Sequence, residues 1–293
     1  MVTFLGKYLE YRNLLCIFAA LIQKDKNEFQ IFSNMKKMMI LAVMMTATVS
    51  ASAQSTPADP YFTSKEMPDM TKWCPGPPDT LSTAFAYDLM QYMWGKKMRN
   101  DKERADIAYR DAIFGVDYIV KEFSEPFGLQ ISKEDTPEIY RLLNDALATC
   151  DSICRYPKRH FKRMRPFIRF HEPTLRPEFD HELGAFRSFP SGHTTLGWSS
   201  ALLLMEINPE CADTILARGL MYGESRVILG AHWQSDVNAG RLGATAAYAR
   251  LHSSERFQEQ MRLARLEFRC KKGIATAAEQ KTYKKILKKR NKK

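Results

Sequence analysis

A chain of 293 residues with 45% apolar residues can bury one substantial core, which excludes a staple-dependent mini-protein and makes a single domain the expectation. The formal charge of +11 has the size of a nucleic-acid footprint, but it is gathered at the ends: residues 269–293 hold eleven Lys or Arg against one acid, Glu279, and residues 1–53 hold six against three. The stretch between, 54–268, is left with about −2, an ordinary globular surface that requires no nucleic acid as partner.

Residues 1–34 read as a spurious or extended N-terminus, with Met35 the expected start. Lys36 and Lys37, the apolar run Met38 to Val49 and the small residues Ala51-Ser52-Ala53 form the pattern of a secretory signal peptide over 35–53, cut before Gln54. The run is short for a membrane span, and the competing reading is an uncleaved anchor that also uses Leu14 to Ile22. No Cys follows the cut to carry a lipid, and no later segment is long and apolar enough to cross a bilayer, so a periplasmic or secreted protein is expected.

From 54 to 78 the chain is rich in Pro, Ser, Thr and Asp without helical period and reads as an extended arm. Helical patterns then follow over the expected domain, 79–268: one capped by Asp79 and Thr80 and running to about Lys97, one from about Asp101 to Glu122, and one opening at Thr136-Pro137 with Ile139, Leu142, Leu143, Ala146 and Leu147 on one stripe. A basic stretch (155–170) and an irregular loop (His171 to Pro190) precede three more, from about Gly192 to Ile207, Pro209 to Val227 and Trp233 to Leu251. Strand-like alternation is scarce, so the fold class is all-α. The basic end, 269–293, has few apolar residues and reads as a disordered, solvated appendage. Five cysteines remain after cleavage (Cys74, Cys150, Cys154, Cys211, Cys270), an odd number that leaves at least one free; Cys150 and Cys154 share a helix face, where packing or a disulfide is favoured over zinc.

Three pieces carry chemistry: Lys158-Arg159-His160-Phe161-Lys162-Arg163-Met164-Arg165-Pro166, then Pro190-Ser191-Gly192-His193, then Ser225-Arg226 with His232 and Asp236. Two guanidinium forks and an ammonium, Arg165, Arg226 and Lys158, suit the non-bridging oxygens of a phosphomonoester, whereas Lys162 and Arg163 read as a solvated face. Ser191 and Gly192 open an apolar helix, and their N–H groups are expected to face an anion there. His232 and Asp236 lie one helical turn apart, so the carboxylate can orient the ring and leave the other nitrogen as a nucleophile, giving a phosphohistidine with inversion at phosphorus. His193 is the candidate to protonate the leaving alkoxide and then to activate water. His160, His171, His181 and His252 receive no role. Ligand-spaced carboxylates and histidines for a metal are absent from the sequence pattern, so neither metal nor cofactor is expected.

In order and spacing, these pieces resemble the three-part pattern of the type 2 phosphatidic acid phosphatase superfamily, which also includes the vanadium-dependent haloperoxidases. The wider context, FPSGHT and GESRVILGAHWQSDVNAGR, resembles the soluble class A bacterial non-specific acid phosphatases, densely from about 155 to 245. The resemblance implies a helical bundle with the site near helix N-termini and a broad-specificity phosphomonoesterase acting on small-molecule phosphate esters, and the two histidines are expected to set an acidic optimum. Three alternatives stay open: a vanadium haloperoxidase, an integral lipid phosphatase (disfavoured by the absence of spans), and a non-enzymatic protein that binds anionic surfaces through the basic tail. Homo-oligomerisation is left open.

Overall fold

The computed structural model describes residues 57–290, and those residues form helices and loops without a strand. The expectations for 1–34 and 35–53 lie outside the described residues. The arm from 57 to 78 is irregular apart from one 3-10 turn, Met70–Lys72, and it is fastened to the body. Met67, Met70 and Cys74 enter the core, and the N–H groups of Asp59 and Tyr61 donate to Asp145 (3.0 Å) and Thr149 (2.8 Å).

Helix α1 (Thr83–Met98) is capped by Ser82, whose Oγ accepts from the Phe85 N–H at 3.2 Å. Asp79 closes the preceding turn, on the Leu81 N–H, which moves the start three residues past the expected one. The single helix expected over 101–122 is two, α2 (Lys102–Arg110) and α3 (Val116–Phe127). They are separated by a loop ending at Gly115 (φ 135°), a backbone conformation that suits glycine, and by the burial of Asp111 against Arg218.

Helix α4 (Pro137–Ser152) carries the expected apolar stripe and is buried nearly all round. Its cap differs from the expected one. Thr136 turns its hydroxyl to Ser132, and the first-turn N–H groups of Glu138 and Ile139 donate instead to Glu267, both at 2.9 Å. A carboxylate at a helix N-terminus is favoured by the helix dipole as well as by the hydrogen bonds.

Two short helices, α5 (Arg155–Phe161) and α6 (Pro166–Arg169), take up the basic stretch, and α7 (Asp180–Leu183) lies within the loop that follows. The centre of the bundle is α8 (Gly192–Ile207), packed against α9 (Ala212–Ile228), α10 (Gln234–Leu251) and α4. Close approach depends on glycine: a Cβ on Gly197 would lie 2.4 Å from Tyr222 Cδ1, and one on Gly240 would lie 2.7 Å from the Ser191 carbonyl oxygen.

The basic end is not a solvated appendage in the described residues. After α11 (Glu255–Lys271) the chain turns into α12 (Ala277–Arg290). Tyr283 is buried with its hydroxyl on Glu267 (2.6 Å), and Arg269 pairs with Glu279 at 3.0 Å. Tyr283 and the Arg269–Glu279 pair hold a helix whose remaining residues are mostly exposed. The five described cysteines are free thiols; Cys150 and Cys154 pack in the core, with Cys154 Sγ 3.1 Å from Thr195 Oγ1. No helix among the described residues is long and apolar enough to cross a membrane.

Candidate active site

The three sequence motifs converge on one cavity of about 670 Å³, lined by Lys158, Arg165, Gly192, His193 and His232. Two turns deliver these side chains. Lys162 ends α5 in the left-handed conformation (φ 45°), so that Lys162 stays exposed while Arg163 and Arg165 are buried. Gly230 (φ 82°) closes the turn after α9, where the Arg226 carbonyl accepts from the N–H groups of both Ala231 and His232 at 3.2 Å.

Lys158 Nζ donates to the carbonyls of Arg187 (2.9 Å) and Pro190 (2.5 Å). Arg165 gathers the loop around it, donating to the carbonyls of Leu183, Gly184, Arg187 and Ala231, and from Nη1 to His232 Nε2 at 2.9 Å. Arg226 is fully buried, and none of its three guanidinium nitrogens has a hydrogen-bond partner among the described residues. Burial, then Arg165, lowers Lys158 to about 8; burial, then Arg226, lowers Arg165 to about 9; burial lowers Arg226 to about 10. Three crowded, desolvated cations are costly unless an anion joins them, and a phosphate dianion matches both their charge and their donors.

A guanidinium only donates, so His232 Nε2 is the acceptor in its contact with Arg165 and the ring proton belongs on Nδ1. Nδ1 lies 3.4 Å from Asp236 Oδ2. Asp236 is a hub rather than a partner of His232 alone. Its carboxylate accepts from Ser188 Oγ (2.5 Å), the Trp233 N–H (2.9 Å) and Arg163 Nη1 (2.5 Å), all closer than the imidazole.

Arg163 corrects the sequence expectation: it is 9% exposed and bridges Asp236 to Asp88, reaching the latter at 2.6 Å. Asp88 in turn accepts from the N–H (2.8 Å) and hydroxyl (2.6 Å) of Ser235. Neither Arg163 nor Asp88 was singled out by motif spacing. Asp88 did leave a trace, since it falls on the buried face of α1 between Phe85 and Tyr92, where an acid needs a partner.

Ser191 does not line the cavity. It caps α8, its Oγ accepting from the Thr194 N–H at 3.3 Å, and its own N–H donates to the Asp236 carbonyl at 3.0 Å. Of the two residues expected to present N–H groups to an anion, only Gly192 borders the cavity. His193 borders it too, with Nε2 3.1 Å from the Ala112 carbonyl, so Nε2 carries the proton and Nδ1 is the basic atom. Burial holds both histidines well below the ordinary imidazole range; Arg226 and His232 add to it for His193, and Arg165, Lys158 and Arg226 for His232. The four unassigned histidines do not line the cavity. No group of three or more His, Cys, Asp or Glu among the described residues could hold a metal ion. Phe114, Tyr118, Arg176, Phe179 and Arg187 also line the cavity.

The family model of the PAP2 superfamily matches residues 141–258, the stretch that contains all three motifs. The chain is 41% identical over 209 residues to the non-specific acid phosphatase of Providencia stuartii, covering 71% of this chain and 84% of that protein. It is 34% identical over 240 residues to the non-specific acid phosphatase of Salmonella typhimurium, covering 80% and 94%. To the acid phosphatase of Zymomonas mobilis it is 34% identical over 229 residues, covering 78% and 85%. With relatives of this identity aligned over most of their length, and the superfamily pattern gathered at one cationic cavity, the chain belongs to the PAP2 superfamily, in its group of bacterial non-specific acid phosphatases.

Proposed function

We propose that the protein is an acid phosphatase that hydrolyses phosphate monoesters without a metal, through a phosphohistidine at His232. The ester's phosphoryl group docks against Lys158, Arg165, Arg226 and the N-terminus of α8 at Gly192. Docking draws Arg165 Nη1 from His232 Nε2 to a phosphate oxygen and frees the lone pair. Nε2 then attacks phosphorus in line, the bond to the leaving oxygen breaks, and His193 Nδ1 gives that oxygen its proton. Water next attacks the phosphohistidine, His193 takes its proton, and the P–N bond breaks to release inorganic phosphate and restore His232.

Asp236 supports the imidazolium-like charge on His232 and, with Arg163 and Asp88, holds the start of α10 in register. Ser191 acts indirectly, by capping α8. The three cations that favour a phosphate oppose a metal ion at the same place, which supports metal independence. Because the fixed groups address the phosphoryl oxygens, nucleotides, sugar phosphates and aryl phosphates are all expected to react. The leader read in 35–53 makes the periplasm or the exterior the site of action.

The observation that carries this reading is the placement of His232 Nε2 2.9 Å from Arg165 Nη1, in one cavity with Lys158 and beside an Arg226 without a partner among the described residues. The test is hydrolysis of a panel of phosphate monoesters in EDTA by wild type and His232→Ala. Turnover by wild type alone, inhibited by vanadate, is the expected result. Halide oxidation by the vanadate-loaded protein with peroxide, without ester hydrolysis, overturns it.

A further inference from the structure

The loop between α2 and α3 belongs to none of the three motifs, yet it touches the site at His193 twice. The Ala112 carbonyl accepts from Nε2 at 3.1 Å, and the Phe114 ring meets the imidazole edge to face with centroids 5.1 Å apart. The loop is in turn anchored by one carboxylate, Asp111, which is 1% exposed. Asp111 accepts from both terminal nitrogens of Arg218 (3.2 and 2.5 Å) and from Ser225 Oγ at 2.6 Å, while Arg104 Nη1 donates to the same hydroxyl at 3.0 Å. Ser225 directly precedes Arg226, and Arg218 lies two turns earlier in the same helix, α9. One buried side chain therefore joins the loop that holds His193 to the helix that carries the unpartnered guanidinium.

We propose that Asp111 is a positioning residue for proton transfer: through the Ala112 carbonyl it fixes His193 with Nε2–H on the backbone and Nδ1 turned to the leaving oxygen. The inference rests on the role given to His193 above. The imidazole works as an acid only if one nitrogen keeps its proton throughout while the other gains and loses one. A carbonyl acceptor on Nε2–H enforces that division and also favours the imidazolium, the service a buried carboxylate performs for the histidine of a hydrolytic triad. Ala112 is a backbone acceptor and can be placed only by its loop. Asp111, tied to Arg218 and Ser225, is what places it.

A purely structural ion pair would affect every substrate alike, whereas a misplaced acid matters most when the leaving group is poor. The test compares kcat and KM on an alkyl phosphate and a nitrophenyl phosphate for wild type, His193→Ala, Asp111→Asn and Ser225→Ala. For Asp111→Asn, kcat/KM, which reports transfer to His232 and not the later hydrolysis common to both esters, is expected to fall about ten- to a hundredfold on the alkyl ester and less than about threefold on the aryl ester. Ser225→Ala, which removes one anchor and leaves Arg218 in place, repeats this selectivity at smaller size and serves if Asp111→Asn does not fold. Equal losses on both esters in the Asp111 and Ser225 variants, with His193→Ala still selective, overturn the inference while leaving the acid role standing. Loss of selectivity in His193→Ala overturns the acid role, and the inference with it. In both cases turnover by wild type keeps the phosphatase reading separate.

Discussion

Arg226 places a guanidinium in the interior with no acceptor among the described residues, an arrangement that costs stability and that the proposed anion site accounts for. Arg226→Met is therefore expected to melt no lower than wild type in phosphate-free buffer, since relief of an unsatisfied buried group is worth about 1–3 kcal/mol, and to lose the rise in Tm that phosphate gives wild type. Its kcat/KM should fall by at least about 100-fold. In the proposed reaction the two histidines carry the pH dependence. Both have lowered pKa values and are neutral at pH 7, and His193 must gain a proton for the first step, so the rate rises as pH falls. A bound dianion offsets the Arg226 and Arg165 contributions to that lowering and brings the gain into an accessible range. Profiles of kcat against pH should show this rising acidic limb in wild type and none in His193→Ala. Lys158, Arg165, His193, Arg226, His232 and Asp236 were legible because each belongs to a short stretch whose residue types fit phosphate chemistry. Arg163 was not: it lies in a basic run where burial is decided by the left-handed turn at Lys162, and its partners Asp236 and Asp88 are 73 and 75 positions away.

At the scale of elements, the site depends on how closely α10 can approach the start of α8. A Cβ on Gly240 would stand 2.7 Å from the Ser191 carbonyl and 3.1 Å from Thr194 Cβ, neither of which is the far end of a flexible side chain. Gly240→Ala is expected to cost about 1–3 kcal/mol by overpacking and to raise KM by shifting Gly192 and His193 away from Lys158. Thermal unfolding read beside KM for a single phosphate ester checks both halves, and a fall in Tm with KM unchanged contradicts the second. Periodicity located α4, α8 and α10 closely, because each is long and packed on several sides. It merged α2 with α3, since the break comes from Asp111 pairing with Arg218 in a distant helix and from a glycine that a pattern of apolar residues does not register.

For the whole molecule, the basic end raises the question of whether function lies in the tail or in the bundle. The composition of 269–293 was legible as strongly basic, but the seat of α12 was not, because it rests on Tyr283 and on Glu267, a residue that caps α4 from the other side. Deleting 277–293 removes the Tyr283 hydroxyl from a buried carboxylate, a loss of about 1–3 kcal/mol that should appear as a lower Tm, while kcat on phosphate esters stays as in wild type. If the truncated chain lost hydrolysis and His232→Ala kept it, the tail and not the cavity would hold the function.

The central claim, a transient bond between His232 and phosphorus, is open to direct capture. Wild type and His232→Ala are mixed with a phosphate ester labelled in its phosphoryl group, in EDTA, and quenched within milliseconds in alkaline detergent, where phosphohistidine survives. Label that stays with the wild-type chain, is released by brief acid treatment and is missing from His232→Ala is the predicted result. Equal labelling of the two proteins, or turnover by the Ala variant at the wild-type rate, would contradict it.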